Sequence, residues 1–436
     1  MHRVLIISPH FPPVNAPDMQ RVRLALPHLR TLGWEPVVLA VKPDLVEGAV
    51  LDPVLEKTYP ADIRIVRVGG VPHRLTRTLG FGSLWWRCGA ALRRAGERLL
   101  AAEKFDLVFF STTQFDAFGL GPRWLKRFGV PYVLDYQDPW VNDYYFRTNT
   151  PPPGGNFKFW LSQLTARRRE PAAVRSAAAI VSVSQSYGPD LVQRYPGLET
   201  RSIHHLPFGA ATTDFEIARS HTPAKLLVPF GDGRLHFVYA GRCGPDMSRS
   251  LGLLFQAFRR YRDSHPQEAH KIHFHFIGTD YAPPPLGRYW ALPVARQEMV
   301  AQYVSEYCYR VPYFDALHYL VRADALLAVG SNDPSYSASK IFPYLIARRP
   351  LLTIVHESSL MLELSRRQGV ASSYGFSNGD ISQTDLVGRI HQEWFVAGGH
   401  RMLPAGDPEQ LEELTSLGMA RRLAAVFKES LNTAQS

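Results

Sequence analysis

Residue types suited to binding phosphate stand together in the segment SYSASKIFPYLIARRPLL, residues 335–352. Ser339 can cap a helix that begins at Lys340, and the first N–H groups of such a helix point at an anion. Lys340 adds a full positive charge at that end, and Pro343 is tolerated in a first helical turn. The segment therefore predicts a helix start that faces phosphate. The alternative is an ordinary capped helix with an exposed lysine.

Two arginines that follow another apolar run suit the same anion. Arg242 comes after Gly241 at the end of LHFVYAG, and Arg249 precedes an apolar helical run. Arginine stays protonated and can bind phosphate oxygens in pairs. Cations placed where negative charge grows on a leaving group stabilise the transition state more than the ground state. The alternative is that both are solvated surface arginines.

Short apolar runs that alternate with helical patterns must position these residues. A first series contains RVLIIS, WEPVVLAV, DLVFFST, PYVLDY and AAIVSVS, and a second series contains LHFVYAG, KIHFHFIG, ADALLAVG and PLLTIV. Continuous apolar strands joined by helices are typical of parallel sheets covered on both faces. We predict an α/β protein with two doubly wound, Rossmann-like domains that face a central cleft, with ligands at the loops after the strands.

The chain has 436 residues, too many for one ordinary core. We predict a first domain over residues 1–214 and a second over 234–414. Between them, residues 215–233 are rich in turn and small residues, which is typical of a linker. Residues 415–436 have helical spacing and are expected to pack back on the first domain.

Composition favours a soluble protein with anionic partners. Lysine plus arginine number 49 and aspartate plus glutamate 39, a formal charge of +10, which suits phosphates, acidic glycans, nucleic acid or an anionic membrane surface. No aromatic-basic motif supports nucleic acid. No apolar run approaches the ~18 residues that span a bilayer, and the start, MHRVLIISPHFPP, indicates a buried strand rather than a signal peptide.

The cysteines and acidic motifs predict neither a disulfide framework nor a metal site. Cys88, Cys243 and Cys308 lack zinc-like spacing, and a reducing, cytoplasmic setting is expected. No Asp-x-Asp motif of the donor-metal kind stands out, so neither a metal nor a cofactor is expected. The stretch GSLWWRCGAALRRAGERLLAAEK is basic and partly amphipathic, which suits the inner face of a membrane; of the two interpretations we favour an ordinary domain helix.

Several segments, in order along nearly the whole chain, resemble retaining nucleotide-sugar glycosyltransferases of the family 4 type, which have the two-domain GT-B fold. These segments are ISPHFPPVNAPDMQRVRLALPHLRTLGWEPVVLAV, GVPYVLDYQDPW, FVYAGRCGPDMSRSLGLLFQAF and ADALLAVGSNDPSYSASKIFPYLIARRPLL. The second is similar to the Asp-x-Arg-Asp-Pro-Trp segment of one branch. Each motif is weak alone, and the ordered set is more specific for fold than for activity.

The resemblance implies a nucleotide-sugar donor, with UDP the common nucleotide and GDP or ADP as alternatives. It places Arg242, Lys340 and a basic residue near Arg249 on the diphosphate. Val311, Pro312 and Tyr313 would line the nucleotide base. Further residues of the expected donor segment are Gly241, Ser335, Tyr336 and Ser339.

In the first domain the resemblance directs attention to the loops after strands. A histidine that contacts the donor sugar in related enzymes is replaced here by Gln137, and Asp138 is the best candidate to orient sugar or acceptor hydroxyls. We expect Asp135 to hold the loop. Trp140 suits either stacking on an acceptor sugar or the core, and the core is the default.

The first loop departs from the family pattern. Asn15-Ala16-Pro17 replaces a Gly-Gly pair that lets backbone approach the phosphates, so Asn15 is the expected donor contact there. Arg21 matches an arginine of this branch that reaches the diphosphate or acceptor, or else is a helix-surface arginine. His10 is expected in a packed loop near the acceptor.

The ribose site departs too. The family often carries two glutamates separated by seven residues, and the matching positions are Ser335 and Pro343. Proline has no side-chain acceptor, so it cannot hold ribose hydroxyls; Asp333 or Glu357 are the candidates to substitute.

Together these observations predict a metal-independent retaining hexosyltransferase that acts on a glycan or lipid-linked hydroxyl in envelope or exopolysaccharide assembly. The alternatives are a non-catalytic GT-B module that binds a glycan or a partner protein, favoured by Pro343 and Gln137, and a nucleotide-sugar epimerase on the same fold.

Overall fold

The computed structural model describes residues 1–76, 83–142, 155–198, 202–282, 284–333, 340–377, 383–407, 412 and 415–433. The chain divides into two compact units. The first consists of Met1–Phe208 with Ser416–Ser436, and the second of Gly209–Thr415.

The first unit is built on a sheet of seven strands. These are β1 (His2–Ile7), β2 (Trp34–Val41), β3 (Arg64–Val68), β4 (Leu107–Ser111), β5 (Tyr132–Tyr136), β6 (Ala179–Ser182) and β7 (Ser202–His205). Their order is β3-β2-β1-β4-β5-β6-β7, and every pairing is parallel. Because helices cover both faces of such a sheet, the central strands are buried along their length.

Helices of the first unit connect these strands. They are α1 (Gln20–Leu29), α2 (His73–Thr76), α3 (Leu84–Ala102), α4 (Leu120–Phe128), α5 (Asn156–Arg175) and α6 (Tyr187–Arg194), with short 3-10 turns at Pro17–Met19, Pro43–Leu45, Pro53–Lys57 and Phe115–Gly119. Ser83 caps the start of α3, and its hydroxyl accepts a hydrogen bond from Trp86 N at 3.2 Å. Such a cap satisfies one of the unpaired N–H groups of a first turn.

The second unit has a sheet of six parallel strands. These are β8 (Leu235–Ala240), β9 (Ile272–Ile277), β10 (Val304–Tyr307), β11 (Ala325–Val329), β12 (Leu351–His356) and β13 (Ser373–Phe376). The order is β10-β9-β8-β11-β12-β13. The order reverses between β8 and β11, as it does between β1 and β4 in the first unit. Ligand crevices of doubly wound sheets open at the carboxyl ends of the strands at such a reversal.

The helices of the second unit are α7 (Thr212–Ser220), α8 (Ser248–Ser264), α9 (Pro266–Ala269), α10 (Ala291–Gln297), α11 (Tyr313–Arg322), α12 (Ile341–Ile346), α13 (Leu360–Arg367) and α14 (Gln383–Arg389), with a π-helix at Ile390–Val396 and 3-10 turns at Pro245–Met247, Ala301–Tyr303 and Gly399–Arg401. The chain then returns to the first unit as α15 (Ser416–Thr433), where the Phe427 ring packs 5.2 Å from Trp34 and 5.0 Å from Phe109.

The predicted fold class of two doubly wound α/β domains is confirmed. The division between the units lies at Phe208 and Gly209, whereas the sequence placed it after residue 214 and expected a linker over 215–233. Part of that stretch is α7, which buries Asp214 and Phe215 within the second unit. The small and turn residues of this stretch led to the prediction of a linker, whereas its first residues form part of an amphipathic helix.

Candidate functional site

A turn at the carboxyl end of β8 carries the first candidate residues. Gly241 has φ +144°, a conformation that side chains rarely adopt. A Cβ on Gly241 would lie 3.6 Å from Lys340 Nζ, an ordinary contact distance. Backbone conformation rather than space therefore requires glycine here. The turn brings the next residue, Arg242, out at the point where the strand order reverses.

Lys340 lies beside this turn. It is the residue before α12, its Nζ donates a hydrogen bond to the Tyr239 hydroxyl, and Nζ lies 4.3 Å from the Tyr239 ring centroid. Burial lowers the pKa of Lys340 to about 8, and the positive charges of Arg242 and Arg310 act in the same direction. Lys340 thus belongs to a group of cations that repel one another.

Arg242 is held by an acidic neighbour. Its two terminal nitrogens donate to the Asp246 carboxylate at 2.9 and 2.7 Å. Although burial opposes it, this pairing lowers the pKa of Asp246. The Arg242 side chain as a whole is 32% exposed. The fork geometry fixes the plane of the arginine and leaves an outer edge open to solvent.

Other residues expected at the donor occupy the same edge of the sheet. Arg249 is in the first turn of α8, and its guanidinium carbon lies 5.5 Å from the Phe376 ring centroid at the end of β13. Val311 and Pro312 are half-buried in the loop before α11. The Tyr313 hydroxyl donates to Asp214 at 2.9 Å. Ser335, Tyr336 and Ser339 lie outside the described residues, and the helix starts at Ile341 with Lys340 as its flanking residue.

In the first unit, Gln137 proves to be a buried link within a polar network. Its side-chain nitrogen donates to Asp18 O at 3.0 Å, to the Ser111 hydroxyl at 3.0 Å and to the Asp135 carboxylate at 2.9 Å. The residue is 8% exposed. A catalytic role for Gln137 is therefore not supported, because its amide is already engaged in holding the loop. Asp135 acts in the same network.

Arg21 also differs from expectation. It is fully buried, its Nε donates to Asp135 Oδ2 at 2.8 Å, and a terminal nitrogen donates to Leu206 O at 2.6 Å. Its guanidinium carbon lies 4.8 Å from the Phe208 ring centroid. The expected contact of Arg21 with a diphosphate or acceptor is not supported, because its guanidinium already binds Asp135 in β5 and the backbone just after β7. These bonds hold α1 against both strands.

His10 forms a pair with an aspartate of the same loop. His10 Nδ1 lies 2.9 Å from Asp18 Oδ1, and Asp18 accepts from Thr113 N and from the Thr113 hydroxyl, both at 3.0 Å. Burial would lower the pKa of His10, but the Asp18 carboxylate outweighs it and raises that pKa. The pKa of Asp18 is lowered by His10 and Thr113 against the effect of burial. The loop thus pairs His10 with Asp18 through a short contact.

Asp138 follows β5 close to this pair. The residue is exposed, yet its pKa is raised to about 6. The larger cause is desolvation of the carboxylate by the surrounding protein, and the second is repulsion from Asp18. It therefore titrates near neutral pH and accepts hydrogen bonds from hydroxyls once it has ionised. Of the first-unit candidates, Asp138 is the one whose carboxylate is both accessible and perturbed.

Trp140 and Asn15 have mainly structural contacts. Trp140 is 7% exposed and stacks against Phe115, with ring centroids 6.2 Å apart and planes at 20°, and edge-on against Phe118 at 5.8 Å. The ring is therefore packed in the core, and its role in stacking on an acceptor sugar stays a prediction. Asn15 N donates to Val50 O at 2.8 Å and the residue is half-buried.

Sequence reasoning missed Tyr239, Arg310 and Asp18. Tyr239 lies inside an apolar strand run, where a tyrosine is read as core. The Arg310 guanidinium carbon lies 5.0 Å from the Tyr281 ring centroid, and one terminal nitrogen donates to Gly278 O at 3.3 Å. The position of Arg310 in the loop after β10, at the carboxyl edge of the sheet, is the signal that would have found it.

Among the residues that the structure describes, no group of three or more histidine, cysteine, aspartate or glutamate side chains is placed to hold a metal ion. Within the same ranges, none of the helices has the length and apolar character needed to cross a bilayer.

Similarity to known proteins is found in both the sequence and the structure. Residues 20–209 match the model of the family described as glycosyl transferase 4-like domain. The matched segment covers most of the first unit and includes Asp138. No curated protein matches this sequence.

Solved structures extend the likeness to both units. A glycosyltransferase from Rickettsia africae is 13% identical with a TM-score of 0.58, covering 99% of this chain and 98% of its own. A UDP-forming trehalose-phosphate synthase from Burkholderia xenovorans is 13% identical with a TM-score of 0.58, and the match covers 100% of this chain and 99% of the synthase. A pneumococcal O-GlcNAc transferase solved with UDP and GlcNAc is 10% identical with a TM-score of 0.58, and the match covers 99% of each chain.

These likenesses show the fold. Two parallel sheets with alternating helices, matched over nearly the full chain, confirm the GT-B fold class and the resemblance to family 4 glycosyltransferases. The branch with the Asp-x-Arg/Gln-Asp-Pro-Trp segment stays a prediction.

Proposed function

We propose that this glycosyltransferase-like protein moves a sugar, with retention, from a nucleotide diphosphate sugar to a hydroxyl of a glycan or lipid-linked acceptor. The observation that carries the proposal is the group of Lys340, Arg242 and Arg310 at the carboxyl edge of the second sheet. Burial lowers the pKa of Lys340, and the positive charges of Arg242 and Arg310 lower it further. A diphosphate bound there would relieve the repulsion among these cations, so the group is suited to an anion.

The proposed roles follow from where charge develops. As the bond from the sugar to the diphosphate breaks, negative charge grows on the phosphate oxygens, and Lys340 and Arg242 stabilise it. The acceptor oxygen forms the new bond on the same face, and its proton passes to the departing phosphate. No protein base is needed for that transfer. Since protein cations neutralise the diphosphate, we propose transfer without a metal.

Asp138 is proposed to orient a hydroxyl of the sugar or acceptor. With a pKa of about 6, it is mainly ionised at neutral pH and accepts a hydrogen bond. Desolvation, and second the negative charge of Asp18, keep the pKa of Asp138 raised. This assignment concerns the first unit by itself.

Ribose recognition needs a substitute for the missing glutamate. Pro343 is the third residue of α12 and offers no side-chain acceptor. Asp333 follows β11 and Glu357 follows β12, both at the edge of the sheet that carries Arg242. We propose that one of these carboxylates holds the ribose hydroxyls. UDP is the proposed nucleotide, in line with the UDP named for two of the structural neighbours.

The acceptor and setting are proposed from chemistry alone. The formal charge of +10 suits an acidic glycan or a lipid-linked sugar, and assembly of envelope or exopolysaccharide at the cytoplasmic face of a membrane would supply either. Helix α3, the stretch first considered for membrane contact, buries Leu84, Cys88 and Leu92 in the core and exposes Trp86.

Calorimetric titration with UDP, GDP, ADP and dTDP, without metal, tests the donor site. UDP should bind, and Lys340→Met and Arg242→Ala should each weaken it about tenfold or more, the usual cost of losing a charge-assisted hydrogen bond. Lys271→Ala is the matched control, since Lys271 is an exposed cation at the amino end of β9. Binding of none of the four nucleotides would overturn the proposal.

A non-catalytic module is the second candidate, favoured by Pro343 in α12 and by the buried Gln137. It predicts nucleotide or glycan binding with no release of nucleotide from any nucleotide sugar. Incubation of UDP-glucose, UDP-galactose and UDP-GlcNAc with the protein and with glycan or lipid-linked sugar acceptors, followed by measurement of free UDP and of acceptor mass, separates the two candidates.

A further inference from the structure

The first turns of α5 present an apolar stripe to solvent. Phe157 is 74% exposed, Trp160 53% and Leu161 50%. Their spacing of three and four residues puts them on one helix face. The Phe157 and Trp160 rings stack, with centroids 6.3 Å apart and planes at 25°. Clustered aromatic exposure of this kind marks a surface that meets an apolar partner.

The stripe is not the core-facing side of the helix. Farther along α5, Gln163, Ala166, Glu170 and Ala173 are buried, and they recur at the spacing of a single face that packs into the first unit. At about 100° per residue, Phe157 and Leu161 point away from that face. The exposure therefore follows from the helix geometry.

The charge on the exposed side of α5 has one sign. Arg167, Arg168, Arg169 and Arg175 are exposed, and Arg169 pairs with Asp116 at 2.6 Å. By sequence, Glu170 is the one acid between residues 156 and 175, and it is buried, accepting a hydrogen bond from the Tyr136 hydroxyl at 3.1 Å. The surface thus combines aromatic and aliphatic side chains with an arginine run.

We propose that this surface, formed by Phe157, Trp160 and Leu161 with Arg167 and Arg168, binds an anionic phospholipid bilayer. Tryptophan and phenylalanine settle at the boundary between headgroups and acyl chains, and arginine is attracted to lipid phosphates. An anionic bilayer is favoured over a second copy of the chain, because the matching surface of a second copy carries the same positive charge. The proposal does not depend on sugar transfer.

Flotation of the full chain with phosphatidylcholine vesicles, with and without a third of phosphatidylglycerol, tests it. Binding should require the anionic lipid and weaken as salt rises. The variant Phe157→Ser/Trp160→Ser should bind at least about tenfold more weakly, from the apolar area that it removes. Trp86→Ser is the matched control, because Trp86 is 69% exposed on α3 and should leave binding unchanged.

Three outcomes would overturn the proposal: absence of binding to anionic vesicles, equal binding by the double variant, or loss of binding in Trp86→Ser instead. Sedimentation of the soluble protein adds a fourth. Self-association that the double variant abolishes would assign the surface to a second copy. Circular dichroism and thermal unfolding of the double variant, with wild-type spectrum and melting temperature expected, show that it is folded whether or not UDP binds, which keeps the two proposals separable.

Discussion

The ammonium group of Lys340 lies 4.3 Å from the centroid of the Tyr239 ring and donates a hydrogen bond to its hydroxyl. That hydroxyl in turn donates to the backbone carbonyl of Arg242. Tyr239 therefore links the lysine before α12 to the turn after β8. The ring face stabilises the cation, which helps keep a half-buried lysine charged at neutral pH although its pKa is lowered.

The affinity for UDP should fall as pH rises above 8. Lys340 has a pKa of about 8 in the free protein, and bound phosphate would raise that pKa. Binding then takes up a proton above pH 8, so affinity falls by up to about tenfold per pH unit. Calorimetry from pH 7 to 9.5 measures this. Lys340→Met should bind weakly with no such slope, and an equal slope in that variant would contradict the assignment.

Transfer should lose activity as pH falls through 6, where the Asp138 carboxylate takes up its proton. Asp138→Asn should be slower at pH 7 and lack this acidic limb. A raised folded-state pKa means that the folded chain binds more protons than the unfolded chain between about 4 and 6, so ionisation above 6 opposes folding. Thermal unfolding of Asp138→Asn at pH 7 should therefore show no loss of stability. Lower stability with unchanged activity would assign Asp138 to structure.

Removing Arg21 should cost stability rather than donor binding. Arg21→Met leaves the Asp135 carboxylate buried without its cation, which costs about 3–5 kcal/mol of unfolding free energy. Denaturant unfolding measures the loss, and UDP affinity of the folded variant should match wild type. The double variant Arg21→Met/Asp135→Asn should regain part of the stability, since no buried charge remains. A stable Arg21→Met that no longer binds UDP would restore the donor role.

The second unit should be sensitive to acid. His236 Nδ1 lies 3.0 Å from His275 Nε2, and burial lowers the pKa of His275 to about 3 and that of His273 to about 4. Below pH 6.5 the unfolded chain therefore binds more protons at these histidines than the folded chain does. The folded state loses stability progressively as pH falls from 6.5 towards 3. His275→Gln should move the midpoint of acid unfolding to a lower pH, measured by circular dichroism, because the variant lacks a group that takes up a proton on unfolding. His270→Gln, an exposed control, should leave that pH unchanged. An unchanged midpoint in His275→Gln would exclude the cluster as a source.

The strands that sequence analysis found and those that it missed differ in position. Each apolar run quoted from the sequence is an interior strand, whereas β3, β7, β10 and β13 were not singled out. These four are the edges of the two sheets. An edge strand is covered less fully, so it carries residues such as those of SIHH in β7 and loses the continuous apolar signal.

The same logic explains how far the site could be predicted. Residues directly after strands, such as Arg242, could be placed at the sheet edge from sequence, and their binding role stays a prediction. Whether a polar residue is exposed depends on partners far along the chain. Arg21 is buried against Asp135, 114 positions away, and no local pattern announces that pairing.

The passage of the chain out of the first unit and back has a consequence for synthesis. The ring of Phe427 fills a place between Trp34 and Phe109 that the first 208 residues leave open, and more than 200 residues separate those two parts. On the ribosome, the second unit is complete and able to fold while the first unit still lacks α15, the helix that covers Trp34 and Phe109. A nascent chain stalled before α15 would therefore hold one finished unit beside one with an exposed apolar face, the state in which a chaperone would recognise it.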